Sequence, residues 1–469
     1  MKTHTCTAAL VQFRHRLYQN FTNRADTLME LVDALCSNGS ARSVVELCLA
    51  PCFRRTYSTL YKALAELNWD DHQLARLLEE FLPRPTKRSF WLLGVDVTPQ
   101  PRPFAQTLPD RGLVYQPNPI AGTTPITIGH QYSTVALLME AQEQRSPAWV
   151  VPLSTARVAS EDDKEGVGAA QIDALLMDEA LPFHSQLCVE VADSKYSKPA
   201  YLHAHRSHAN LITIVRVAAN RTFYHPPQAA AQPTGAGHPR WYGARFVLDD
   251  PSTWTSADSH ALTQHLSRRG KRYRVEIESW HNCLMRGQRK PKELPMQRYP
   301  FTLVRIVFYD QAGREAFRHP LWLIVVGQRR HELNAFEIYH AYERRYDLEH
   351  FFRFGKQHLL LTSFQTPDAE REESWWQLAH LAYAQLWLAR EVVEALPRPW
   401  ERNLPSMRSG QKSPSLVQRD FARIIRQIGT PAQAPKVRGI SQGRRLGTRL
   451  PPRVRQKVVV KGHKQAQAP

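Results

Sequence analysis

Long apolar runs are missing from this 469-residue sequence. The longest, Leu321 to Val326, suits a buried strand and falls far short of the roughly 20 residues a membrane-crossing helix needs. The start of the chain lacks the layout of a secretion signal, because Arg14 and Arg16 interrupt any apolar stretch. Cysteine is scarce: the six lie at positions 6, 36, 48, 52, 188 and 283, and none forms a Cys-x-x-Cys pair. That argues against a zinc ribbon or a disulfide framework, and leaves reduced thiols in a cytoplasmic protein as the simplest expectation. Acidic residues are also few, 43 against 62 Lys and Arg, for a net charge of +19. After Asp420 there is none. An excess of this size calls for a polyanionic partner, nucleic acid ahead of a membrane surface, with plain solubility as the competing explanation.

What is present, 42% hydrophobic residues, can fill a sizeable core spread over about two to four domains. Residues 8–84 read as helical, with Leu28, Leu31, Val32 and Leu35 recurring on one helical face. A short helix at 42–49, a break at Pro51 and a helix at 55–67, with Arg54, Arg55, Tyr57, Tyr61 and Lys62, form either a helix-turn-helix or an ordinary helical hairpin. Beyond a linker at Pro83, Pro85 and Lys87, strands are expected at 90–97, 129–139 and 149–153. A helix at 169–179, a strand at 187–192, a helix at 198–207 and a strand at 211–217 follow. This order predicts an α/β sheet with both antiparallel and parallel pairs. Residues 221–320 are rich in Pro, Gly, Arg and alternating patterns, and read as a β-rich insertion. A strand at 321–326 and helices at 334–355 and 374–395 come next. The expected units are therefore 1–85 helical, 88–220 first core part, 221–320 insertion, 321–395 second core part, and 396–469 a C-terminal helix and basic tail. From Lys436 to Lys464 that tail holds ten Lys or Arg and is expected to be disordered and available to phosphates.

Three acids stand out by context. Asp96, in Gly94-Val95-Asp96-Val97-Thr98, and Asp193, in Val191-Ala192-Asp193-Ser194, each end an apolar strand. Singly, each reads as a turn starter; on neighbouring strands, the pair would suit a hard divalent cation, which prefers oxygen ligands. The third is Glu349. On one α-helix, Tyr342, Arg345, Glu349 and Lys356 fall within an arc of about 60°. Glu349 is the only acid on that stripe, and Leu348, Phe351, Phe352 and Phe354 require the helix to be largely buried. A lone acid flanked by Arg and Lys suits a metal ligand beside phosphate contacts, because Arg forks a phosphate and Lys adds a point charge. His203, His205 and His208 invite a metal reading by count, but 203 and 205 are about 200° apart on a helix, which argues against a shared ion. Arg268, Arg269, Lys271, Arg272 and Arg274, joined by Arg286, Arg289, Lys290 and Lys292, form a solvated face or a phosphate track.

Tyr342-x2-Arg345-x3-Glu349-x6-Lys356 resembles the Tyr-Arg-Glu-Lys signature of the insertion-sequence-four type transposases of bacteria. The run from Arg345 to Gln357, the contexts of Asp96 and Asp193, and Gln365-Thr366-Pro367 resemble that family too, over roughly residues 40 to 395. The resemblance implies a ribonuclease H-like mixed-sheet core interrupted by a β-rich insertion, with Asp96, Asp193 and Glu349 as catalytic triad and metal ligands. It implies two Mg²⁺ ions, with Mn²⁺ an acceptable substitute, and cut-and-paste chemistry on double-stranded DNA: transposon terminal inverted repeats and target DNA. Tyr342, Arg345 and Lys356 would grip the DNA end, with Arg269 and Arg272 on the phosphate track. Trp280 and Trp322 are candidates for stacking a flipped base. A homodimer in the DNA complex and a cytoplasmic, nucleoid-associated location follow from the same resemblance. A transposase-derived DNA-binding protein and a non-integrating metal nuclease are the competing functions.

Overall fold

The computed structural model describes residues 2–69, 71–116, 125–140, 147–227, 241–267, 269–289, 293–395, 398, 412–436 and 452–460. Helices α1 (Lys2–Asn20), α2 (Ala25–Cys36), α3 (Tyr57–Glu66) and α4 (Asp71–Leu78) precede all strands. Strands β1 (Trp91–Pro101), β2 (Gly112–Tyr115), β3 (Ile126–Leu138) and β4 (Val150–Val158) follow, then α5 (Lys164–Met177), β5 (Cys188–Ala192), α6 (Pro199–Ala204) and β6 (Leu211–Val217). Next come β7 (Thr222–Tyr224), β8 (Arg245–Val247), β9 (Ser259–Leu266), β10 (Arg272–Cys283), β11 (Phe301–Tyr309) and β12 (Leu321–Val326). After these lie α7 (Ala335–Glu343), α8 (Tyr346–His358), α9 (Ala369–Ala395) and α10 (Pro414–Ile428).

The result is a mixed α/β fold around one large sheet, ordered β2-β3-β1-β5-β6-β12-β11-β10-β9, with β4 following β2 along the edge of β3 that faces away from β1. β1, β5 and β6 run parallel, and the remaining pairs are antiparallel. β5 and β6 are buried almost throughout, as parallel strands covered on both faces must be. The strands from 259 to 309, read from sequence as an insertion, hydrogen-bond through β12 onto β6 and extend the same sheet. Alternating polarity marks a half-exposed strand but does not say which sheet it joins.

Helices cover the sheet from both sides. A side chain at Gly94 would collide with Leu348 of α8, and one at Gly168 of α5 would press on Val95. Gly94 and Val95 point to opposite faces of β1, so α8 and α5 lie in opposite layers. The absence of a Cβ at Gly94 is what lets α8 approach β1 closely.

The N-terminal helices form one body with α9 and α10. Arg14 pairs with Asp33 and reaches Gln385 of α9 at 3.1 Å, all buried, while Gln418 of α10 donates to the Leu35 carbonyl at 2.9 Å. The helix-turn-helix reading loses two of its cations here. Arg54 and Arg55 are tied to buried Glu30, at 2.7 and 2.6 Å, and to carbonyls at Ala432 and Gln433. Part of the basic tail is also docked: Gln456 N donates to Gln106 O and Val459 N to Arg111 O, both at 2.8 Å, beside the β2 edge. Residues 437–451 and 461–469 of the tail lie outside the described residues. No helix among the described residues is long and apolar enough to cross a membrane.

Candidate active site at the end of the parallel strands

Asp96 is not at the end of β1, which runs five residues further against β3. It stands where the parallel ladder ends instead: Gly94 pairs with Val191, and β5 stops at Ala192. Continuing that register sets Asp96 beside Asp193, about 5 Å away across the strand gap. One step further, Ala192 pairs with Val215, so Arg216 stands in the same row. Asp193 caps the short turn that follows β5, accepting from Lys195 N at 2.8 Å. Asp96 Oδ1 accepts from Val97 N at 2.8 Å.

The stripe of four residues does not lie on one helix. The chain tightens at Arg344 and Arg345, where Arg345 N bonds Tyr342 O and Leu348 N bonds Arg345 O, so α7 ends and α8 begins. The 60° arc therefore does not carry across the break, yet the side chains still meet. The Arg345 guanidinium lies 5.8 Å from the Tyr342 ring centroid and 4.8 Å from that of Tyr346. It donates to Glu349 Oε1 at 2.9 Å and stands 3.8 Å from Asp96 Oδ2. Its side chain is only 10% exposed, whereas that of Glu349 is 45% exposed. Lys356 Nζ donates to Thr98 Oγ1 at 2.6 Å, on the same face of β1 as Asp96. Gly355 does not end α8, which continues to His358 and uses the missing side chain to pack on Leu361.

The electrostatics follow from this crowding. Burial pushes the Asp96 carboxyl up to about 6, with Asp193 and Glu349 adding to the rise and Arg345 opposing it. Burial brings the Lys356 ammonium down to about 8 against the pull of Asp96, and raises the Tyr342 hydroxyl to about 12. Arg345 is held above its ordinary value: burial works against its charge, but Tyr342, Asp96 and Glu349 outweigh it.

The Asp96 shift has a definite sign. Its folded value of about 6 exceeds the ordinary 3.8, so folding takes up a proton between them. Asp96 costs nothing below about pH 4 and destabilises the metal-free fold as pH rises through about 6, by on the order of 2–3 kcal/mol. Asp96→Asn is therefore expected to raise urea-unfolding stability by that order at pH 8 in EDTA, with the gain gone at pH 4. A gain that is absent, or equal at both pH values, contradicts the assignment.

Among the described residues no three His, Cys, Asp or Glu side chains converge into a ready-made metal site. Glu349 is drawn to Arg345. The donor chemistry nevertheless fits a divalent cation: the donors are all carboxylates, hard oxygen ligands set around a half-exposed Glu349 and the adjacent Asp96 and Asp193.

Other expected contacts fall elsewhere. Trp280 and Trp322 are buried, 5.9 Å apart, in a cluster with Trp254 and Phe246, so neither offers a ring face to solvent here. Arg269 and Arg272 are exposed at the β9–β10 turn; the strand of Arg272 lies four spacings from β5, about 19 Å. Arg268, Lys290 and Lys292 lie outside the described residues. The histidines diverge: His205 binds buried Glu190 at 2.9 Å, His208 binds Asp173 at 2.6 Å, and His203 packs on Tyr299. Sequence reasoning missed Arg216, although an exposed Arg inside the apolar run Leu211–Val217 is a visible signal.

No match to this chain was found among curated proteins. The family model described as DDE superfamily endonuclease matches residues 16–285, which includes Asp96 and Asp193 and stops before Glu349. With more than half of its length matched, and two acids side by side at the end of parallel strands, the chain belongs to the DDE superfamily endonuclease family.

Proposed function

We propose that this endonuclease is a transposase that cuts at the ends of its own element and joins them to target DNA. The observation that carries the reading is the row Asp96–Asp193, with Glu349 of α8 held beside it by Arg345. The strand order β4-β3-β1-β5-β6, three antiparallel strands followed by two parallel ones, supports a ribonuclease H-like core. The matched family implies a DNA substrate and supports a nuclease or polynucleotidyl transferase.

In this reading Asp96, Asp193 and Glu349 hold divalent cations, Mg²⁺ or Mn²⁺. When bound, such ions activate a water or a 3′-hydroxyl and stabilise the leaving oxygen of an in-line displacement. Arg345 stands between Glu349 and Asp96, 2.9 Å from one and 3.8 Å from the other, and offsets part of the like-charge repulsion between them. Tyr342 and Tyr346 wall the guanidinium, so its charge stays aimed at the acids and at an incoming phosphate. Lys356, fixed by Thr98, supplies a second cation on the same face. Two ends must be joined, so the working form in the DNA complex is a homodimer.

Purified protein incubated with a plasmid carrying its element's terminal repeats and Mg²⁺ tests this. Excised linear element and strand-transfer products are expected, and neither in EDTA. Cleavage without strand transfer would demote the protein to a nuclease; binding without cleavage would make it a transposase-derived DNA-binding protein.

A further inference from the structure

The loop from Arg102 to Arg111 contains neither helix nor strand, yet it is firmly held. Arg111, 3% exposed, donates to the carbonyls of Leu108 at 3.3 Å, Arg102 at 3.0 Å and Pro103 at 3.2 Å. His130 Nε2 lies 3.0 Å from the Pro109 carbonyl. Asp110 pairs with Arg157 and accepts from Ser160 N at 3.2 Å. Arg102 itself is fixed by buried Glu372 at 2.6 Å. Two carbonyls of this platform accept from the C-terminal tail. Gln106 O takes Gln456 N and Arg111 O takes Val459 N, both at 2.8 Å, and Val459 pairs with Gly112 in the parallel sense. The tail from 452 to 460 therefore has a fixed place at the β2 edge.

From 452 to 460 the tail has neither helix nor turn. Alternate residues of such a segment share a side, so Arg453, Arg455 and Lys457 recur together about 6.6–6.8 Å apart, close to the step between successive phosphates of a DNA strand. All three are exposed, and none meets an acid among the described residues. Asp96 pairs with Thr134 of β3, Pro101 with Gly129, and Gly129 in turn with Gly112 of β2. Val459 therefore stands five residues along and three strand spacings across from Asp96, about 22 Å away. A duplex leaving the acids in that direction reaches the tail after about six base pairs. We propose that the docked tail is a second DNA contact, in which Arg453, Arg455 and Lys457 hold phosphates beyond about six base pairs from the cut. Docking matters here as much as charge. A loose polycation meets phosphates anywhere, whereas one fixed on the platform meets them at one distance from the acids.

This contact rests on the transposase or nuclease reading of Asp96 and Asp193, and its test keeps the two apart. Duplexes carrying the element's terminal repeat are made in two lengths, one ending about four base pairs from the cut on each side and one running about 20. Binding is followed by fluorescence anisotropy in Ca²⁺ and cleavage in Mn²⁺. Arg453→Gln/Arg455→Gln/Lys457→Gln is expected to weaken binding of the long duplex about 10–100-fold near 0.1 M salt, to reduce the salt slope by about 2–3, and to leave the short duplex within about twofold. Gln456→Pro/Val459→Pro keeps every cation and removes both docking donors. Its affinity for the long duplex should fall at least halfway, on a logarithmic scale, toward that of the triple variant. Both variants should keep the parent's urea midpoint and its cleavage rate on the short duplex, which separates lost contact from lost folding. The docked contact is overturned, and the function stands, if the triple variant matches the parent on the long duplex, if it weakens both lengths alike, or if the proline variant binds as the parent does. If the parent neither binds nor cuts either duplex, both fall.

Discussion

Replacing Asp96, Asp193 or Glu349 by Ala is expected to lower DNA cleavage by at least about 10³-fold, while binding to the same DNA persists. The magnitude follows from what each carboxylate supplies. Charge stabilisation by a bound cation is worth several kcal/mol at the transition state, and each 1.4 kcal/mol is tenfold in rate. Asp96 and Asp193 stand side by side in register, so neither can take over the other's contact without moving a strand. Glu349 has a different route to the same outcome: its removal leaves Arg345 free to swing onto Asp96, 3.8 Å away, and neutralise it. Arg345→Gln added to Glu349→Ala should not restore cleavage, since the missing ligand is still missing. Binding is expected to survive because the cations proposed to meet phosphate, Arg345, Lys356 and the exposed arginines at the β9–β10 turn, are untouched. Single-turnover cleavage with Mn²⁺, read beside anisotropy, measures both effects. Cleavage within tenfold of the parent for any one of the three removes that residue from the triad.

The second large effect is on stability. Glu372→Ala is expected to cost about 3–5 kcal/mol, because it strands a buried cation. Glu372 is fully buried. Its Oε2 accepts from Arg102 Nη1 at 2.6 Å, and its Oε1 meets His130 Nδ1 at 2.6 Å and Tyr132 OH at 3.0 Å. Arg102 also donates to the carbonyls of Phe364 and Thr366. This knot ties β1 and β3 to α9 and to the segment leading into it. The stacked rings of Tyr132 and Trp376, 4.1 Å apart, close it. Glu372→Gln keeps the volume and one acceptor, so it should lose less. Urea unfolding with a shared m-value gives the comparison. A loss below about 1 kcal/mol for the alanine variant would mean that water reaches Arg102.

Much of the fold could be read from the chain, and the misses have causes. The strand at 211–217 is apolar except for Thr213 and Arg216, and such runs announce buried parallel strands. β1 looked shorter than it is, because Pro99 and Pro101 suggest a stop; against β3 it continues regardless. The helix expected at 334–355 is two helices, since neither Gly nor Pro marks the turn at Arg344 and Arg345. The residues of the stripe lie together although they do not share one helix. No straight axis runs through all four, yet Arg345 reaches Tyr342, Asp96 and Glu349 because its side chain is long enough to absorb the bend. Spacing along a helix was readable in this way. Contacts between residues separated by a helix and a strand, such as Lys198 with Glu165, were not.

The union of the first helices with α9 and α10 matters for how the polypeptide is made. Arg14 and Asp33 leave the ribosome some 350 residues before Gln385, the side chain that completes their buried cluster. The helix α2 likewise packs on α9 and α10, which are not yet translated. For most of its synthesis the nascent chain therefore carries an uncovered apolar surface at its leading end. Fragments that stop before residue 369 should behave as chaperone clients rather than as free-standing modules, and a premature stop late in the gene would disarm the beginning of the protein as well as its end.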